Sequence, residues 1–134
     1  MKVASPEWCA ALLEAAKKDN EIHDGFADPS SFIYNVEFVI LPDIKICAVL
    51  EKGNVVNIAK TTNEEVHLSF AADLDTWGLV ISGKESASKM VTMGKIKLQK
   101  GPLDLAIKNV KALEAFCRNM GQVPTERSYQ LCIQ

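Results

Sequence analysis

The stretch AADLDTWGLVISGKESASKMVTMGKIKLQKG, residues 71–101, changes its period three times. Asp73 or Asp75 can cap a helix in which Leu74, Trp77, Val80 and Ile81 share one face. Gly83 then stands where a helix commonly ends, since glycine accepts the left-handed backbone of that position without a side-chain clash. A short helical piece from Ser86 to Met93 ends at Gly94 in the same way. From Lys95 to Lys100 the chain alternates, with Ile96 and Leu98 pointing one way, and Gly101-Pro102 closes the run. A strand end, two helices and another strand thus lie in succession.

Upstream, the period is two. Phe32, Tyr34, Val36, Phe38 and Ile40 lie on one face of a predicted strand, opposite the mixed set Ile33, Asn35, Glu37, Val39 and Leu41. Pro42-Asp43 turns the chain into a second strand with Ile44, Ile46, Ala48 and Leu50 on one face. Lys52-Gly53-Asn54 is the next turn, and Val55 to Lys60 the third strand. Thr61-Thr62-Asn63-Glu64 leads to a fourth, in which Val66, Leu68 and Phe70 alternate with His67, Ser69 and Ala71. Before the strands, Ser5-Pro6 opens a helix carrying Trp8, Cys9, Leu12 and Leu13, with Lys17 and Lys18 suiting its C-terminal end. Asp19 to Ser31 reads as a loop. After the fifth strand, Leu103, Ala106, Val110, Leu113, Cys117 and Met120 predict one long helix to about Met120, widened by Ile107 and Phe116.

This order gives an α+β fold: a five-stranded, largely antiparallel sheet covered on one face by helices. With 134 residues, 48% of them hydrophobic, the whole chain reads as a single domain with a core over 5–120 and a tail over 122–134. The formal charge of -2 and the scattered lysines and arginines speak against a nucleic-acid footprint or a polybasic membrane patch. No apolar run reaches spanning length, so stable membrane insertion is not expected, and the absence of a leader pattern makes a cytoplasmic location the expectation.

Catalytic chemistry has little foothold. Cys9, Cys47, Cys117 and Cys132 form no ligand or disulfide spacing and read as buried free thiols. Glu64/Glu65 and Asp73/Asp75 are explained by a solvated turn and a helix cap, and His67 by the polar face of its strand. No nucleophile elbow, phosphate loop, metalloprotease helix or dinucleotide fingerprint is present. The expectation is a non-enzyme with no cofactor and no metal.

The two Gly-Lys corners, Gly83-Lys84 and Gly94-Lys95, followed by Ile96-Lys97-Leu98 and the closing Gly101, resemble the pattern of the sterol carrier protein type 2 family. With the preceding elements the resemblance covers most of 5–120. It implies an apolar tunnel between sheet and helices that takes a sterol, fatty acid or fatty acyl-CoA, with lipid transport as the function. By position, the resemblance makes Trp77, Val80 and Ile81 on one helix, Met90 and Met93 on the next, and Val110, Leu113 and Phe116 on the last the candidate tunnel lining. Methionine suits such a lining because it is unbranched and polarizable. The family also includes non-catalytic accessory modules that partner an enzyme, which is the alternative, and a homodimer fits either use.

Overall fold

A computed structural model describes residues 4–41, 44–60 and 65–123. The predicted turns at Pro42-Asp43 and Thr61–Glu64, Cys132, and the tail beyond Val123 lie outside the described residues.

Helix α1 (Pro6–Lys18) starts as its sequence dictates: Ser5 Oγ accepts from the Trp8 backbone N–H, and Pro6 fills the first helical position. It buries Trp8, Cys9, Leu12 and Ala16. Residues 19–31, read as loop, instead contain helix α2 (Asn20–Asp24) and a 3-10 turn, Pro29–Ser31. Asp19 makes the difference. Its backbone closes α1 while its carboxylate accepts from the Glu21 N–H at 2.8 Å, so one residue ends one helix and caps the next.

The sheet runs β3-β2-β1-β4-β5, from strands β1 (Tyr34–Leu41), β2 (Ile44–Glu51), β3 (Asn54–Ala59), β4 (Leu68–Ala71) and β5 (Lys97–Lys100). The first three strands form the expected antiparallel meander. β4 then returns to the far side of β1 and pairs with it in parallel, which makes β1 the central strand, and β5 pairs antiparallel with β4. The alternation is kept: Val36, Phe38 and Ile40 of β1, Ile46, Ala48 and Leu50 of β2, and Leu68 and Phe70 of β4 are buried on the helix-covered face.

Helices α3 (Leu74–Ile81) and α4 (Ala87–Thr92) follow β4. Asp73 caps α3 by accepting from the Thr76 N–H at 2.7 Å, and Ser86 caps α4. Gly83 and Gly94 stop them at φ +81° and +76°, with open space where a Cβ would stand, so the backbone angle alone requires glycine there. The single long helix expected over 103–120 is two: α5 (Leu103–Lys108) and α6 (Val110–Gln122). Asn109 separates them with φ -110° and ψ 16°. Its amide donates to the Leu105 carbonyl at 2.9 Å and accepts from the Ala27 N–H at 2.9 Å. A short side chain with its own backbone partners competes with helix continuation, and here it wins.

Helix α6 is the centre of the helical layer and touches each of the other five helices. Its buried Asn119 holds Asp19 and the Ala115 carbonyl, and Arg118 pairs with Glu21. Sheet and helices enclose one continuous apolar core that runs from Ala4 to Val123 in sequence.

Candidate functional site

Between the inner face of the sheet and helices α5 and α6 lies an apolar seam with about 40 Å³ of open internal space. The sheet supplies Val36 and Phe38 from β1, Ala48 and Leu50 from β2, and Leu68 and Phe70 from β4. The helical layer supplies Ile22 from α2, Ala106 from α5, and Ala112, Leu113 and Phe116 from α6. Phe26, Phe32 and Asn109 complete the wall. The chain has five phenylalanines, and all of them, Phe26, Phe32, Phe38, Phe70 and Phe116, line this one space.

The rings are in register with one another. Phe38 stacks on Phe116 at a centroid distance of 4.8 Å and a 10° angle, and on Phe70 at 6.0 Å and 22°. Phe26 and Phe32 meet at 4.2 Å toward the other end of the seam. The strand pairing defines these ends. Phe32, Leu50, Leu68 and Lys100 all lie where β1 and β4 begin and where β2 and β5 finish. That end is crossed by α5, whereas Phe38, Phe70 and Phe116 close the other.

The eight residues expected at a lining part company. Leu113 and Phe116 face the seam. Trp77, Val80, Ile81 and Met90 are buried in the core outside its wall. Val110 is half-buried against the core, and Met93 is 55% exposed. Trp77 has a distinct structural task. The β1–β2 register shifts between Val39 and Leu41, and the indole Nε1–H donates to the Val39 carbonyl at 2.9 Å, satisfying backbone that the irregular ladder leaves over. The lining that sequence reasoning missed comes from the strands, from 22–32, and from Ala106, Asn109 and Ala112. The signal was present in the alternation of Phe32, Val36 and Phe38, which puts the apolar strand face opposite the helices.

Seam polarity is low. Among the described residues Asn109 is its one polar lining residue, and both ends of that amide are engaged. His67 lies at the α5 end, where its Nδ1 accepts from the Asn35 N–H at 3.0 Å and its ring meets Tyr34 edge-on. The carboxyl of Asp73 is held below the usual range by hydrogen bonds from the backbone and side chain of Thr76, in keeping with capping. Burial pushes the Cys9 thiol up and raises Cys117 to about 12, the direction opposite to that of a nucleophile. Cys9, Cys47 and Cys117 are buried and free of disulfides. Among the described residues no group of His, Cys, Asp and Glu is placed to hold a metal ion, and no helix is long and apolar enough to cross a membrane.

No family model matches the sequence, and no curated protein matches it. Solved structures do. The crystal structure of sterol carrier protein 2 superposes with a TM-score of 0.73 at 15% identity, covering 92% of this chain and all of that one. A conserved hypothetical protein of Thermus thermophilus, described as a possible sterol carrier protein, gives 0.75 at 17% identity over 96% of this chain and 94% of its own. The UbiJ-SCP2 ubiquinone synthesis protein gives 0.53 at 8% identity over 83% and 90%. Over more than nine-tenths of its length the chain therefore shares its architecture with the first two of these structures, and it has the sterol carrier protein 2 fold.

Proposed function

We propose that this protein binds the apolar chain of a lipid, such as a sterol, a fatty acid or a fatty acyl-CoA, in the seam between sheet and helices, and carries it without chemical change. The observation that carries this reading is the convergence of all five phenylalanines on one internal space with, among the described residues, a single polar lining residue. Apolar walls of this kind favour a ligand that asks for no hydrogen bonds. The driving force is ample: at about 0.8 kcal/mol per methylene, a sixteen-carbon chain gains on the order of 12 kcal/mol gross. Association and ordering costs of several kcal/mol bring the affinity to the micromolar range. The thiols pushed up by burial and the capping role of Asp73 support a carrier rather than a catalyst.

The space of about 40 Å³ holds only about three water-sized spheres, so a tunnel of acyl-chain length forms only as the helical layer moves off the sheet. That narrowness favours, as a second reading, a filled core in a non-catalytic module that partners an enzyme. The resemblance to a ubiquinone synthesis protein fits that reading as well. Native mass spectrometry of the protein with excess palmitate distinguishes the two. The carrier reading expects a one-to-one complex that saturates at micromolar ligand. Protein that stays ligand-free up to the solubility of palmitate supports the filled core.

A further inference from the structure

We propose that α5 is the door of the seam, latched by Asn109, and that a single-chain amphiphile enters under it tail first, leaving its polar head at the α5 end. The proposal rests on the lipid-binding reading and adds to it the entrance, the orientation and the class of ligand. The two ends of the seam differ. At one, the rings of Phe38, Phe70 and Phe116 pack on one another, and no polar side chain among the lining residues could receive a head group. At the other stand Asn109, the half-buried Tyr34 and His67, and the exposed Lys100 and Lys108. A carboxylate or similar head left at that end stays in contact with water, which avoids the cost of burying an unpaired charge.

Of the elements over the seam, α5 is the one that can leave. Helix α6 buries seven residues and is tied to its neighbours through Asn119 and Arg118. Helix α5 buries Ala106 alone, while Leu103 and Ile107 are 56% and 52% exposed. Neither α5 nor α6 has a side-chain cap bond at its start. The two ends of α5 are defined points. At Gly101 the backbone has φ +106° and passes so close to β4 that a Cβ would stand 2.7 Å from the His67 carbonyl oxygen, which fixes that end. At Asn109 the helix breaks, and the hydrogen bond from the Ala27 N–H holds the far end against the 26–31 segment. In that segment Asp28, held low by hydrogen bonds from Ser31 and Ser30, also feels the Lys108 charge. An element with little buried apolar area and few ties opens at low free energy, ahead of the better-tied α6.

Two measurements on the whole chain test this. Stopped-flow uptake of cis-parinaric acid, a fluorescent polyene fatty acid, is compared in the parent and in Asn109→Ala. Removing the latch acceptor should speed uptake about fivefold, the equivalent of one ordinary hydrogen bond. Native-state hydrogen exchange on the unmodified protein should show the amides of 105–108 exchanging well ahead of those of 113–120, and this decides the matter if the variant fails to fold. Uptake at the parent rate in a folded variant, or 105–108 exchanging together with 113–120, overturns the door while leaving lipid binding intact. No saturable parinarate signal in the parent overturns the lipid reading itself, and the door falls with it.

Discussion

Replacing Trp77 with alanine is expected to lower the stability of the protein by about 4 kcal/mol, a drop in Tm on the order of 15 °C for a domain of this size. Two losses combine. The indole is fully buried, against Phe38 at a ring distance of 6.1 Å, so its removal leaves a cavity in a core that cannot fully collapse. The Val39 carbonyl also loses its donor at the point where the β1–β2 register shifts. Trp77→Phe, which keeps an aromatic ring but not the N–H, should cost less than half as much. Urea unfolding of the three proteins measures this. A cost below about 1 kcal/mol for Trp77→Ala would show that the indole is not the support that its burial and hydrogen bond make it.

The second large effect concerns ligand rather than stability. Ala48 lies on the inner face of β2 and lines the seam with a methyl group. Ala48→Ile adds three carbons to a space of about 40 Å³. The strand accepts the β-branched residue, and overpacking costs about 1–3 kcal/mol, within what the fold tolerates. Affinity for a long-chain fatty acid should fall tenfold or more, because the added atoms occupy the path of the chain. The control is the same exchange at Ala11 on α1, partly buried against the core and outside the seam, which should leave affinity within twofold. Equal affinities in the Ala48→Ile protein and its parent would place the ligand elsewhere.

How much of this was legible in the sequence depends on whether the cause is local. Gly83 and Gly94 stop their helices by their own backbone angles, Asp73 and Ser86 cap three residues ahead, and the alternation from Phe32 to Ile40 sets which side chains face inward. All of these could be read. The break at Asn109 could not, because the apolar spacing runs through it unbroken from Leu103 to Met120. What interrupts the helix is a hydrogen bond to Ala27, 82 residues away. The parallel return of β4 to β1 is likewise set by long-range pairing rather than by any local pattern.

At the seam, the called residues of α6, Leu113 and Phe116, take part, and those of α3 and α4 do not. Trp77, Val80, Ile81 and Met90 carry the apolar stripes that their spacing announces, but their burial is spent against other parts of the core. A seam gathers rings from β1, β4, α6 and the 26–32 segment, and no spacing along one element reveals such a gathering. Composition did hold a trace of it. Each of the few phenylalanines falls at a position that the alternation or the helical stripe turns inward, apart from Phe26 in the stretch read as loop.

In the proposed function a lipid chain lies among these rings. Isotope-filtered NMR with uniformly carbon-13-labelled palmitate reports that contact directly. Nuclear Overhauser effects are predicted from the chain methylenes to the ring protons of Phe38, Phe70 and Phe116, with the carboxyl-end methylenes closest to Ala106 and Asn109. Effects confined to the exposed Leu103, Ile107 and Met93, with none to the three rings, would contradict it.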